Sequence, residues 1–316
     1  MALTIRLGIS ACLTGAMVRY NKGHKHSALC TEQLGRHFEW VPVCPEMAIG
    51  LGTPRQPIRL IGHADSPRAM GSIDSSLDVT DALKAYGEQI AATLTDISGY
   101  IFMQKSPSCG MERVKVYHPN SQSIIGTSAG LFAKALMQAR PDLPTEEDGR
   151  LHDPVLRENF VTRVFAYAHW QQLLKEGLSR NALYGFHARY KYQLMANSRV
   201  HYQSLGKLLG QSAKEPLEPL AARYFSELMQ ALKIPATRGS HTNVLQHIAG
   251  YLKRGISTQD KQELHNTIIQ YQQGIVPLVV PMALIKHHFG HHPDPYIAQQ
   301  IYIQPHPEDL GLRNAL

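Results

Sequence analysis

The sequence predicts an α/β domain with a mostly parallel sheet, followed by an all-α domain. Up to about residue 145, short apolar runs alternate with segments of helical spacing, the pattern of βαβ units. From Val155 onward, apolar residues recur at i, i+3 and i+4, and no segment reads as a strand. The cysteines add a third observation. Cys12, Cys44 and Cys109 each fall just past an apolar run that reads as a buried strand.

In the first domain, Leu3–Ser10 is the opening strand, followed by a Gly-containing loop and a helical stretch over Ser27–His37. Phe38–Val43 is the second strand, and the loop after it (PEMAIGLGTPRQP) is rich in Pro and Gly. Ile58–Ile61 reads as a short edge strand. Val79–Leu94 has helical spacing, with Thr80 or Asp81 as its N-cap. Tyr100–Met103 is the third strand of the sheet, and Gly126–Met137 reads as another helix. Pro141–Pro154 carries three prolines and five acidic side chains and is a linker by composition. This places the domains at residues 1–145 and 155–316. In the second, helices are expected over Val155–Glu176, Ala182–Gly210, Leu217–Leu232, His241–Arg254 and Thr258–Gly274.

With 43% apolar and 18% charged residues, the chain reads as globular. The N-terminus lacks the apolar stretch of a signal peptide. Ile275–Ile285, the most apolar later segment, holds two prolines and falls well short of the roughly 20 residues of a membrane span. The expected location is cytoplasmic. Almost all of the net charge of +7 lies after residue 150, as do most of the histidines. A basic half joined to a nearly neutral one points to a polyanionic partner for the second domain.

Four cysteines in so long a chain make no disulfide framework. In an open α/β sheet the carboxyl ends of neighbouring strands share one edge, where ligands bind. Thiols distant in sequence therefore converge, and three of them suggest a metal or cluster with one open position. Their intervals match no compact zinc or ferredoxin spacing, so the residues alone leave zinc and an iron–sulfur cluster both open. Arg19, Tyr20, Asn21 and Lys22 accompany Cys12, Glu46 stands two residues after Cys44, and Lys105, Ser106 and Ser108 precede Cys109. Thiols, a carboxylate and hydroxyls form a set suited to hydrolysis assisted by a Lewis acid. Cys30 sits away from the strand ends and reads as a buried small hydrophobe. His287, His288, His291 and His292 offer i, i+4 pairs, but no acidic or thiol ligand stands beside them before Asp294, so they read as a solvated helix end.

SACLTGAMVRYNKGHK, VPVCPE, TPRQP and KSPSCG, in that order over about residues 4–140, resemble the thiouracil desulfurase (TudS) family. The resemblance implies a [4Fe-4S] cluster held by Cys12, Cys44 and Cys109, with one iron lacking a protein ligand. It also implies catalytic roles for Glu46 and Ser106. RYKYQLMANS, YQSLGKLLG, RGSHTNVLQHIAGYLKR and GIVPLVVPMALIKHHFG resemble the YbgA-like domain. The fusion of the two resembles the RudS-type tRNA 4-thiouridine desulfidases. It implies non-redox removal of sulfur from 4-thiouridine in tRNA, leaving uridine and hydrogensulfide.

A tRNA partner requires a surface that tracks phosphates. Arg189, Lys191, Arg199, Lys207, Arg238, Lys253 and Arg254 are the basic candidates, interleaved with Tyr184, Tyr190, Tyr192 and Tyr202, which are candidates for stacking on a base, although aromatics at helical spacing more often build a core. Two alternatives stand beside this reading. One is a desulfurase of free thiouracil or a thiolated nucleoside. The other is a non-catalytic iron–sulfur protein that binds RNA or senses redox state.

Overall fold

A computed structural model of the chain describes residues 4–211 and 215–314; Leu3, assigned from sequence to the first strand, lies outside them. The chain divides into two compact units, Met1–Asp153 and Pro154–Leu316. The first is α/β with a parallel sheet and the second is helical, the fold class read from the sequence.

The first unit opens with β1 (Ile5–Ser10), β2 (Phe38–Val43), the short helix α1 (Pro45–Ala48), β3 (Ile58–Gly62) and β4 (Pro67–Gly71). Helix α2 (Thr80–Thr93), β5 (Ile97–Phe102), β6 (Val114–Tyr117), β7 (Ile124–Ser128), α3 (Leu131–Ala139) and β8 (Thr145–Glu147) complete it. One sheet runs β2-β1-β5-β8 and is parallel throughout. Apart from Arg6, every residue of β1 is buried, because both faces of the strand are covered. Gly8 is required within it. The Tyr100 ring of neighbouring β5 packs over this position, and a Cβ there would lie 2.2 Å from Tyr100 Cδ2. From β1 the chain goes to β2 on one side and later to β5 on the other. The β1/β5 boundary is therefore the switch point where a crevice opens at the carboxyl edge.

A second sheet, β4-β3-β6-β7, was not legible in the sequence. Its β3/β6 pairing is parallel and its two outer pairings are antiparallel. Ile58, Leu60, Ala69, Val114 and Val116 pack there against Val79, Leu83 and Leu131. Several expectations change as a result. The Ile58–Ile61 segment is an interior strand rather than an edge. The helix expected over Gly126–Met137 is β7 followed by α3, since Ile124, Gly126, Thr127 and Ser128 pair with β6 and helix begins only after Gly130. Ser27–His37 winds as a π turn and a 3₁₀ turn rather than a regular helix. Helix α2 takes Val79 as its N-cap, while the Thr80 hydroxyl accepts from the Ala69 N–H at 2.9 Å. The acidic linker segment supplies β8. Glu147 Oε1 accepts from the Met111 N–H at 2.8 Å, and Glu146 accepts from Arg150 Nε at 2.7 Å, so these carboxylates serve as internal partners.

The second unit contains α4 (Pro154–Glu176), α5 (Arg180–Asn197), α6 (Arg199–Gln211), α7 (Leu217–Lys233) and α8 (Arg238–Ala249). After them come α9 (Thr258–Gln272), α10 (Val279–His291) and α11 (Pro295–Ala298). The span expected as one helix over Ala182–Gly210 breaks at Ser198, whose backbone is extended. α8 starts at Arg238, before the expected His241, because Thr237 and Ser240 form a capping box. The core is strongly aromatic: Trp170 stacks on Phe225 at 4.7 Å, and Phe186 stacks on Tyr190 at 4.5 Å. Tyr190 and Tyr192 therefore belong to packed cores. Among the described residues, no helix is long and apolar enough to cross a membrane.

Burial pushes His169 and His241 down to about 4, and nearby Arg189 and Arg313 push in the same direction. Both rings are neutral at pH 7 and hydrogen-bonded to tyrosine hydroxyls, Tyr190 at 2.8 Å and Tyr302 at 2.7 Å. Because the unfolded chain takes up these protons first, stability should fall as pH drops from about 6.5 toward 4, then level off. The slope is up to about 1.4 kcal/mol per pH unit for each ring. Thermal unfolding of the full chain across this range checks the expectation, and His169→Phe should flatten the response. An unchanged slope in that variant would remove His169 from the account.

Candidate active site

Cys12, Cys44 and Cys109 line one cavity of about 410 Å3, together with Glu46, Arg55 and Ser106. Each thiol arrives by a different local device. Cys12 lies in the 3₁₀ turn that follows β1, closed by Gly15 at φ 94°, a left-handed backbone that favours glycine. Cys44 caps the start of α1, just past β2. Cys109 sits in the turn after β5, where Ser106 Oγ accepts from the N–H groups of Ser108 (3.3 Å) and Cys109 (3.1 Å). Helix α3 clasps that turn. The N–H groups of Gly130, Leu131 and Ala133 donate to the carbonyls of Gly110, Pro107 and Ser108 at 2.7, 3.0 and 3.1 Å. The free donors at the start of a helix are thereby satisfied by the loop that carries the thiol. Gly130 allows this approach, since a Cβ there would stand 2.6 Å from the Ser108 carbonyl.

The thiols also sense one another electrostatically. Burial pushes Cys12 up to about 11, with Cys44 adding to the rise. Cys44 is raised chiefly by burial. Burial raises Cys109 well above the ordinary thiol range, and Glu46, Cys12 and Cys44 add to this against a hydrogen bond with Ser10. Free thiols here keep their protons at neutral pH, and only a bound cation would hold them as thiolates.

Glu46 is fixed from two sides. Its Oε1 accepts from Ser108 Oγ at 2.7 Å, and its Oε2 accepts from Arg55 Nε at 2.9 Å and Nη2 at 2.5 Å. The same guanidinium donates to the carbonyls of Gly52 at 2.6 Å and Val18 at 3.0 Å, joining the loop after β1 to the loop after β2. Arg55 is 7% exposed, so the pair is largely removed from water. Sequence reasoning missed Arg55, Ser108 as the partner of Glu46, and Ser10. A signal existed for Arg55, which lies in TPRQP and is the only charged residue besides Glu46 in the loop from Pro45 to Pro57.

Lys191 and Arg199 meet in a separate cavity of the second unit, of about 260 Å3. The other five basic candidates do not line it. Arg189 lies over the Phe186 ring, and Arg238 lies over Tyr271 while donating to that residue's carbonyl at 3.0 Å. Lys207, Lys253 and Arg254 are exposed. Cys30 is fully buried away from the first cavity. The His287 and His291 rings lie 4.8 Å apart. Among the described residues, no three His, Cys, Asp or Glu side chains are arranged to hold a single metal ion.

A family model described as 2-thiouracil desulfurase matches residues 7–148. Another, described as a protein of unknown function (DUF1722), matches residues 191–307. The chain belongs to both families. The uncharacterized protein YbgA of Escherichia coli (strain K12) is 31% identical over 159 residues, which is 50% of this chain and 94% of YbgA. The uncharacterized protein YbbK of Bacillus subtilis (strain 168) is 32% identical over 140 residues, 42% of this chain and 89% of YbbK. A solved structure described as the [4Fe-4S]-dependent thiouracil desulfidase TudS aligns at 26% identity with a TM-score of 0.36, covering 48% of this chain and 95% of its own. So loose an overlap says nothing of the chemistry here.

The clasp between α3 and the Cys109 turn is expected to be intolerant of added volume. Gly130→Ala should cost about 1–3 kcal/mol, because both facing groups are backbone and cannot rotate away. Denaturant unfolding measures the loss, and the rate of thiol labelling at Cys109 should rise with it.

Proposed function

We propose that this chain is an iron–sulfur desulfidase that converts 4-thiouridine in tRNA to uridine and hydrogensulfide. The observation that carries the reading is the convergence of three thiols on a cavity that also holds the Arg55-bound Glu46, in a unit of the 2-thiouracil desulfurase family. The donor set fits a cluster. Three soft sulfur donors from three loops face a space large enough for a group of several heavy atoms, and no fourth thiol lines it. Cys12, Cys44 and Cys109 would hold a [4Fe-4S] cluster. When bound, it would supply a soft Lewis acid that draws electron density from a thiocarbonyl carbon.

The remaining work falls to the side chains. The balance is a thiocarbonyl plus water giving a carbonyl plus hydrogensulfide, with no net redox change. Glu46 takes the proton of the attacking water at a carboxylate lone pair left free by Ser108 and Arg55. Ser106 Oγ accepts two backbone N–H bonds, which occupy both of its lone pairs. Its own proton is then available to donate to a pyrimidine oxygen or nitrogen. Burial of Arg55 and Glu46 keeps their mutual orientation fixed.

The basic charge of the second domain supports a tRNA substrate over a free base, since phosphate contacts dominate nucleic-acid affinity. The test is an anaerobic assay of iron-loaded protein with tRNA containing 4-thiouridine, followed by nucleoside quantification. Wild type should convert it to uridine, and Cys109→Ala should fail to load. Glu46→Gln should keep its iron absorbance and lose turnover by about 100-fold or more. Loaded wild type that leaves tRNA unchanged but desulfurises free 4-thiouracil would replace this reading with the free-base one. Arg55→Met is expected to retain iron and lose turnover, separating the orientation of Glu46 from cluster binding.

A further inference from the structure

We infer that the helical unit carries a nucleotide subsite of its own, in the cavity where Lys191 and Arg199 meet. It would take one nucleotide of an RNA strand, through its phosphate and its base. This rests on the RNA substrate proposed above and names where the helical unit grips it.

Three helices build the cavity. α6 brings Arg199 and Tyr202 and α8 brings Asn243 and His247, each pair spaced to share a face, while α5 brings Lys191 and Met195 at i, i+4 with Tyr192 beside them. No carboxylate lines the space. The Lys191 ammonium lies 5.4 Å from the Tyr192 ring centre and 5.7 Å from that of Tyr296. Aromatic faces hold a cation in place without cancelling its charge. The wall behind it is firm, because Tyr192 Oη donates to Tyr251 Oη at 3.4 Å and Tyr251 stacks on Tyr296. Among the described residues, no carboxylate pairs with Lys191, Arg199 or His247.

Two cations without a carboxylate partner, one of them held over aromatic rings, and an imidazole favour an anion. Chloride or free phosphate would leave the rest of the lining unused. The half-buried Tyr202 ring offers a stacking surface, and the Asn243 amide offers both a donor and an acceptor to a base edge. With about 260 Å3 of space, the cavity admits one nucleotide and not a stacked run. The remaining five basic candidates are dispersed, so a diffuse phosphate-tracking surface alone would not produce this convergence.

The test measures binding, not turnover. A labelled single-stranded oligoribonucleotide is titrated with the full-length protein by fluorescence anisotropy at several salt concentrations. Arg199→Glu and His247→Glu change exposed side chains, and unaltered thermal midpoints would show that the fold survives. Lys261→Glu on α9 is the control, the same change of charge as Arg199→Glu at an exposed position outside the cavity. The expected result is a loss of affinity of about tenfold or more for each cavity variant, and a salt dependence shallower by about one phosphate contact for Arg199→Glu. Lys261→Glu should lose no more than about threefold. Absence of binding by wild type, wild-type affinity in both cavity variants, or an equal loss in Lys261→Glu would each overturn the subsite. Tight oligonucleotide binding through the cavity without conversion of 4-thiouridine would instead leave the subsite standing and remove the proposed reaction.

Discussion

The first unit depends on one constraint of parallel sheets: every strand ends on the same edge. β1, β2 and β5 lie side by side in a parallel sheet, so the loops after them have no other place to go. Thirty or sixty residues of intervening chain are irrelevant to this convergence. The cost is desolvation. Polar loops brought together at a crevice must satisfy their own backbone groups, and here Ser106 and the first turn of α3 do so for the Cys109 turn. The thiols themselves are left without counter-charge, and burial holds them protonated. Such a site gains from a soft cation, because coordination replaces three protons that low polarity has made hard to remove.

Arg55 links this sulfur site to its carboxylate. A buried ion pair is a poor source of net stability, because the desolvation penalty offsets much of the Coulombic gain. Its value lies in geometry. The guanidinium contacts Glu46 and the carbonyls of Val18 and Gly52, so the loop after β1 and the loop after β2 are held in one register. A lysine supplies no planar fork and would satisfy fewer of these acceptors. The carboxylate is thus oriented before any substrate arrives, the condition under which proton transfer is efficient.

What was legible in the sequence follows from range. The strands that precede the thiols are local signals, apolar runs broken by Gly, Pro and polar residues; β1 and β2 were read within two residues, while β5 starts three residues before the expected Tyr100. The fold class followed from their alternation with helices. β8 was hidden because Thr145–Glu147 has no strand character of its own, and its partner, Tyr100–Phe102, lies more than forty residues earlier. β7 was hidden because its large apolar residues are only Ile124 and Ile125, and no alternation follows them over Gly126–Ser128. The partners of Glu46 were out of reach for the same reason. Ser108 stood beside Cys109 in the sequence, but nothing local places its hydroxyl 2.7 Å from a carboxylate sixty-two residues away. The aromatic interleaving in the helical half allowed two readings, a stacking surface or a core, and helical spacing favours the core, where Tyr190 and Tyr192 pack.

The two cavities treat charge alike in one respect and differently in another. Around the thiols, the buried cation Arg55 is matched by Glu46, whereas Arg19, Lys25 and Lys105 line the same space with no carboxylate partner among the described residues. A phosphate that competed for Arg55 would loosen Glu46, so an anion there is better met by the other three. In the helical unit, Lys191 is supported by rings rather than carboxylates, and it shares its cavity with Arg199, neutral amides and tyrosines. Attraction to a polyanion weakens with salt and tolerates sequence, whereas abstraction of sulfur would need a dry, exact arrangement of few atoms. On the proposed reading, a grip on the helical unit would let binding energy from elsewhere on the strand be used without disturbing the thiols, the carboxylate or the serine.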